Sequence, residues 1–302
     1  MSEDRVRRFT FERHAIRGHS VRLSRAWLDL REHQDYPLAV QQLVGEAVAA
    51  AVLLAATLKF DGTLTLQLQG KGLVNLLVAQ CTHDFKVRGM ARHDPVPSNE
   101  GGDTAGFRSL AGDGQIIVTV ESSDRGSSYQ GVVPITGNSL AESLEAYFVQ
   151  SEQLPTRVLL AATPGVVAGM LVQRVAGVGG KQAPSDPAAL EEAWMKADHA
   201  MEALKPAELL QDDIEQRLLR MFGDDEVRVF SGHDVVHECR CSRERVANVL
   251  RSLGQEEVRS VIAEQGSVTV TCEFCQKPYK FDPIDAEQLF AEAAPRGSDA
   301  IN

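Results

Sequence analysis

Apolar and polar residues alternate along several short stretches in the first half of the chain, and apolar residues recur at helical spacing in the second. Residues 63–69 read TLTLQLQ, a strict alternation that predicts a half-buried strand. Residues 74–80, 85–91, 115–121 and 129–135 are further strand candidates, several of them separated by loops rich in Gly, Asp and Ser. Residues 157–162 and 166–175 read as a hairpin around Thr163-Pro164-Gly165. Residues 43–58, after Pro37, are mostly Ala, Val and Leu, with Glu46 near the start. The uncharged part, 47–58, is twelve residues, short of the ~18–20 that span a bilayer, so a buried helix is expected. Ser139-Leu-Ala-Glu142 is a capping box opening a helix to about Gln153. The strands cluster without regular helical alternation. The expected fold is therefore α+β, with an antiparallel or mixed sheet rather than a doubly wound one.

Further along, Asp186-Pro187 marks a helix start, with Asp as N-cap and Pro in the first turn. Leu190, Trp194, Ala197, Met201 and Leu204 then share one face. Pro206 starts a second helix, with Leu210, Ile214, Leu218 and Met221 on one face and Gly223 at its end. Charge sets this stretch apart. Residues 1–184 hold 18 basic and 18 acidic side chains, residues 185–226 hold 4 and 12, and residues 227–302 hold 9 and 12. Most of the net charge of -11 thus sits on 42 residues. Acids crowded on the polar faces repel one another, and such helices draw most of their stability from docking. The flexible run Gly177-Val-Gly-Gly180 precedes them. Three regions are expected: an N-terminal α+β core, 1–178; an acidic helical linker, 179–231; and a small C-terminal domain, 232–302.

With 302 residues and 43% hydrophobic content the chain has enough apolar material for a real core. Its acidic balance counts against nonspecific nucleic-acid binding. The N-terminus has no apolar signal region, so a cytoplasmic protein with reduced thiols is expected, with no membrane partner. No GxxxxGK[ST], GxSxG or HExxH frame is present, and Gly177-Val-Gly-Gly-Lys181 is followed by Gln. No catalytic constellation emerges.

The chemistry lies in four cysteines. Cys239-Arg-Cys241 and Cys272-Glu-Phe-Cys275 form a CxC…CxxC pattern with thirty residues between the pairs. Two close pairs supply four soft ligands for tetrahedral zinc with little chain to order. Residues 268–271 read as a strand and Lys280-Phe281 as its return, which puts the CxxC in a hairpin knuckle. Ser242 can cap a helix over SRERVANVLRSLG that ends at Gly254, and the helix terminus, Arg243 and Arg245 favour thiolate nearby. A thioredoxin-type CxxC needs a helix after it, whereas Gln276-Lys-Pro-Tyr-Lys-Phe reads as extended. Two permanent disulfides do not suit a reducing compartment. Spacing leaves open whether the site is structural or switchable. It also leaves two rivals: a nucleic-acid-binding zinc ribbon using Arg240, Arg243, Arg245 and Arg251, and a thiol–disulfide oxidoreductase. His233 and His237 read as surface or neighbouring residues, since four thiolates complete the tetrahedron. Cys81, in LLVAQCTHDF, reads as a buried structural cysteine.

CRCSRERVANVLRSLG followed by VTCEFCQKPYKF resembles the heat shock protein 33 family, the redox-regulated holdase chaperones of the bacterial cytoplasm. GEAVAAAVLLAATLKFDGTLTLQLQG, YQGVVPI and SLAESLEAYFVQSEQLPTR resemble the same family, and the likeness covers roughly residues 9–290. The resemblance implies one zinc per chain, held in the reduced state by Cys239, Cys241, Cys272 and Cys275, and no enzymatic activity. It implies that oxidation forms Cys239–Cys241 and Cys272–Cys275 disulfides, releases zinc, and unfolds the zinc domain and linker. The protein would then form a homodimer and hold unfolding clients without ATP, protecting against oxidative and heat stress. Trp194, Met201, Leu210, Ile214 and Met221 are client-binding candidates, because a detached linker would expose their apolar faces.

Overall fold

A helix that is apolar on every side has to be enclosed on every side, and the larger part of the molecule is built around one. The computed structural model describes residues 4–95, 105–122, 128–175, 186–211 and 213–291, which leaves the expected flexible run at 177–180 outside the described residues. The chain divides into two compact units, Met1–Glu238 and Cys239–Asn302.

The first unit opens with the hairpin β1 (Arg5–Phe11) and β2 (Ile16–Leu23), a short helix α1 (Arg25–Arg31) and the long helix α2 (Leu38–Thr57). There follow β3 (Gly62–Gly70), β4 (Val74–Thr82), β5 (Lys86–His93), α3 (Phe107–Ala111), β6 (Gly114–Ser122), β7 (Ser128–Pro134) and α4 (Leu140–Tyr147). Then come β8 (Thr156–Ala162), β9 (Val167–Arg174), α5 (Pro187–Ala203), α6 (Pro206–Gln211), α7 (Ile214–Phe222), β10 (Val227–Val229), β11 (His233–Asp234) and β12 (Val236–His237). One sheet runs β10-β1-β2-β9-β8, with β11 also on β1, and the other runs β12-β5-β4-β3-β6-β7. The ladders are antiparallel except for β12 on β5. The mixed and antiparallel α+β architecture expected from the sequence is thus what the chain adopts.

α2 is long and apolar enough to cross a membrane by length and composition, but it packs on strands of both sheets and most of its surface is buried. Leu64, Leu66 and Leu68 of β3 and Ile116 and Val118 of β6 sit in its core, with Leu66 opposite Val118 and Leu68 opposite Ile116. Burial pushes the Glu46 carboxyl up to about 7, so an acid on this helix carries reduced charge near neutral pH. Cys81 on β4 is buried in the same core, as expected of a structural thiol. Ser139 caps α4 as expected, its Oγ accepting from Glu142 N–H, while the Glu142 carboxylate reaches back to Asn138 N–H rather than to Ser139.

The first sheet is apolar on both faces. One face carries Val6, Val21, Leu23 and Leu171 toward α2. The other carries Phe9, Phe11, Ile16, Met170 and Val172, and packs with α5, α6 and α7 in a second core. Phe9 lies so close over Gly18 that a Cβ there would stand 2.1 Å from its ring. Asp186 caps α5 as anticipated. The second linker helix is not continuous: it ends at Gln211, and a new one starts at Ile214 with Asp213 as N-cap. Asp213 favours this restart because its carboxylate accepts from the Glu215 N–H. The break changes the phase, so Leu209 and Phe222 join the buried face that the continuous pattern assigned to Leu210 and Met221.

Phe222 is 2% exposed and meets Phe11 edge-on, ring centroids 4.9 Å apart. Phe222→Ala should cost about 3–5 kcal/mol by loss of buried area and a residual cavity. Native-state hydrogen exchange should show that cost in α7 and leave α2 protected. Equal loss in both would mean that the linker and the central helix open as one.

Candidate metal centre

The second unit is a helical pair and a hairpin: α8 (Arg243–Leu253), α9 (Gln255–Gln265), β13 (Val268–Thr271), β14 (Pro278–Phe281) and α10 (Pro283–Ala291). Its core gathers Val246, Leu250, Val258, Tyr279, Phe281 and Leu289, with Cys241 and Cys272 packed against it. Cys241 immediately precedes Ser242, whose hydroxyl accepts from Arg245 N–H and caps α8. Gly254 ends that helix. Cys272 follows β13 and Cys275 lies in the turn before β14. There Gln276 N–H donates to the Cys272 carbonyl at 2.8 Å and Cys272 N–H to the Lys277 carbonyl at 3.0 Å. These bonds close the knuckle, and Gln276 takes a left-handed φ of 55° to complete it.

This local folding brings the four sulfurs together. Cys239 Sγ lies 3.4 Å from Cys241 Sγ and 3.7 Å from Cys272 Sγ, and Cys241 Sγ lies 3.4 Å from Cys275 Sγ. All four sulfurs fall within 4.8 Å of one another, and all four cysteines are free and half-buried. Zinc–sulfur bonds of about 2.3 Å in a tetrahedron separate the sulfurs by about 3.8 Å, so the donor set fits a tetrahedral thiolate site. The four cysteines could hold a metal ion. Among the described residues no histidine joins the cluster. His233 stacks on Phe85 and His237 lies in β12, both in the first unit.

The thiols are not equivalent. Burial pushes the Cys239 and Cys275 thiols up. Burial acts in the same sense on Cys241, but hydrogen bonds from Tyr279 and Cys239 outweigh it and bring that thiol down to about 7. The Tyr279 hydroxyl donates to Cys241 Sγ at 3.1 Å. Packing four anions into this space needs a cation among them. The arginines next to the cysteines are partly committed to the fold. Arg243 donates to the Lys280 carbonyl, pairs with Asp285 at 2.8 Å and lies over Phe281. Arg245 donates to the Arg240 carbonyl, and Arg251 to the Leu289 carbonyl. The Tyr279 hydroxyl is the feature that the sequence reading did not single out. Its only signal was a tyrosine four residues beyond the CxxC on the returning strand.

Comparison with known proteins gives a consistent set of relatives. The family model described as Hsp33 protein matches residues 4–282. The 33 kDa chaperonin of Methylobacillus flagellatus is 39% identical over 289 residues, covering 95% of this chain and 94% of its own. That of Pseudomonas aeruginosa is 41% identical over 295 residues, 97% of each chain. The crystal structure of the 33 kDa chaperonin (heat shock protein 33 homolog) from Thermotoga maritima matches in fold with a TM-score of 0.79 at 24% identity, covering 96% of this chain and 99% of that one. These relatives are named as chaperonins and not as enzymes.

Metal uptake by neighbouring thiols expels their protons. Because Cys241 ionises near 7, the protons released per zinc added to metal-free reduced protein should fall by about one between pH 6 and pH 8. In Tyr279→Phe the step should move to higher pH, since the bond favouring the thiolate is gone. Stopped-flow measurement with a pH indicator checks both. An unchanged step in the variant would remove Tyr279 from this role.

Proposed function

The chain belongs to the heat shock protein 33 family of chaperones, and on that premise we propose that it is a redox-regulated, ATP-independent holdase whose sensor is the four-cysteine cluster. The observation that carries this reading is the gathering of four free thiol sulfurs within 4.8 Å in the second unit. In this reading residues 1–178 are the chaperone core, 179–231 the linker and 232–302 the switch domain, and the protein acts in the cytoplasm. Cys239, Cys241, Cys272 and Cys275 are the ligands of one zinc. Bound zinc would hold them as thiolates and supply folding free energy to a unit with a small core.

Peroxide oxidises each pair. A thiolate attacks one peroxide oxygen, breaking the O–O bond to give a sulfenic acid and hydroxide, and the neighbouring thiol then displaces water from the sulfenic sulfur to form the disulfide. One peroxide is consumed per pair. The pairs are Cys239–Cys241 and Cys272–Cys275. Without four thiolates the cysteines could no longer hold zinc, and the second unit would lose the point at which its hairpin and the start of α8 are fastened. The chain from α7 through β12 leads directly into Cys239, so loosening of that unit frees one end of the linker. Trp194, Met201, Leu210, Ile214 and Met221 all belong to the core shared by linker and sheet, Met201 and Ile214 buried and the others half-buried. Detachment would bare that side of the linker and the sheet face beneath it, an apolar surface for non-native chains and for a second copy of the protein.

Metal content, thiol count and suppression of light scattering by a heat-unfolding client, measured on the same samples, test the proposal. Reduced protein should hold about one zinc and suppress poorly, because a closed structural site uses four ligands. Peroxide should remove the zinc with the thiols and give near-stoichiometric suppression without nucleotide, and re-reduction with zinc should reverse it. Cys272→Ser should lose metal and Cys81→Ser should keep it. Suppression that is equal in all redox states would exclude the switch, and insulin reduction with turnover would point to an oxidoreductase instead.

Ile214→Asp places a charge in the buried docking face, at a cost of several kcal/mol by order of magnitude. The reduced variant should therefore show partial chaperone activity. An open linker by limited proteolysis with no gain of activity would move the client surface elsewhere.

A further inference from the structure

The segment that leads into Cys239 also closes a cavity. β10 and β11 pair with β1 of the first sheet, and β12 pairs with β5 of the second. Phe230 N–H donates to the Arg8 carbonyl at 2.9 Å, Val235 N–H to the Asp4 carbonyl at 2.9 Å and Val236 N–H to the Phe85 carbonyl at 3.2 Å. This strap ties the two sheets together, and beside it, at the C-terminal end of α2, lies a cavity of about 680 Å³.

Three kinds of group converge there. The first is aromatic: Phe60 beyond the end of α2, Phe85 in the β4–β5 turn, and Phe230 in the strap. Phe85 holds a left-handed φ of 59°, a conformation uncommon for a bulky side chain. The second is cationic. Arg8 lies over the Phe230 ring, 5.2 Å from its centroid, and Lys59 follows α2. Among the described residues neither makes an ion pair or a side-chain hydrogen bond. The third is His19, which is 3% exposed and whose Nδ1 is buried with no hydrogen-bond partner. Orphaned buried groups of this kind are few in native proteins. Neighbouring Arg17 is turned away to Gln173 Oε1, at 3.2 and 2.8 Å. Burial, then the charges of Arg17 and Arg8, lower the His19 pKa to about 3, so the ring is neutral and adds no charge to the cavity wall. The rim carboxylates are already partnered, Asp84 with Lys86 at 3.4 Å and Asp234 with Arg5 at 2.8 Å.

We propose that this cavity binds a small aromatic anion, an aryl phosphate by class, with its ring against Phe60, Phe85 and Phe230 and its anionic group held by Arg8 and Lys59. Two unpaired cations match a dianionic group, and the three rings match a flat apolar body. A ligand there touches β1, the end of α2, the β4–β5 turn and the strap at once. It therefore binds the closed strap in preference to the open one and stabilises it by mass action. Resting on the holdase reading, such a ligand would slow activation by holding in place the segment that joins linker and cysteine cluster.

The probe is 1-naphthyl phosphate, titrated into the reduced full-length protein by calorimetry and by its own fluorescence. One saturable site per chain is expected. Arg8→Gln and Lys59→Gln should each weaken it about tenfold, the loss of one charge-assisted contact. Lys71→Gln, in the β3–β4 turn, should bind as wild type. Inorganic phosphate and 1-naphthol should each bind at least about tenfold more weakly, since each keeps half of the contacts. Bound probe should slow hydrogen exchange at the Phe230, Val235 and Val236 amides. No saturable binding, or binding indifferent to both substitutions in folded variants, would overturn the site. Equal binding of 1-naphthoate would overturn the choice of phosphate. Unchanged strap exchange with the probe bound would overturn the link to the strap. Binding with strap protection, in a protein whose oxidised form holds no client, would leave the site standing and remove the holdase reading.

Discussion

The apolar outer face of the first sheet has to be covered. Its strands already pack on α2 with one face, and Phe9, Phe11, Ile16, Met170 and Val172 on the other would stand in water without α5, α6 and α7. A sheet apolar on both faces is stable only between two layers. What covers it is the segment with 12 acidic and 4 basic side chains in 42 residues. Docking puts several of those acids beside cations of the strands: Glu215 with Arg7, Asp198 with Arg157, and Glu191 with Arg174. Each pair lies at or near the surface and contributes little alone. Together they offset a repulsion that returns in full when the helices leave the sheet, so the cover is stable only in place.

The cysteine unit has the opposite character. It has its own core around Val246, Leu250, Tyr279 and Phe281. A domain shorter than about 70–80 residues seldom supplies more than a few kcal/mol from such a core. Its hairpin and the start of α8 meet at the sulfurs, so anything that binds four thiolates fastens both elements at one point. The Tyr279 hydroxyl on Cys241 adds a contact to the cluster from outside the four cysteines.

The sequence was most legible where one face of an element does one job. TLTLQLQ alternates because Leu64, Leu66 and Leu68 face α2 while the residues between them face outward, and its strand is found at Gly62–Gly70. The CxC and CxxC could be read without a fold at all, because chain proximity fixes ligand spacing. The N-terminal strands were not legible. In RVRRFTF the apolar positions change parity between Val6 and Phe9, because β1 serves the α2 core with Val6 and the linker core with Phe9 and Phe11. A strand that contributes to two cores loses its period of two. The break at Asp213 was hidden for a related reason. Leu210, Ile214, Leu218 and Met221 fit a single helical stripe, and only a local contest for backbone hydrogen bonds divides it.

The two marginal elements differ in what they leave behind. Most of the buried linker residues, from Ala197 to Phe222, pack in a cluster whose other members lie on strands of the first sheet. The linker helices have no comparable core of their own, and helices of six, nine and seventeen residues are marginal or unstable in water without a surface to dock on. Undocking and melting are therefore one event for this segment, whereas the cysteine unit can loosen around its own small core without disturbing α2. Opening from the cysteine end would expose a flexible apolar chain together with the firm sheet face it had covered. In the proposed opening a partner of irregular shape would meet both a surface that adapts and a surface that does not, because the central helix keeps its own packing on strands of both sheets.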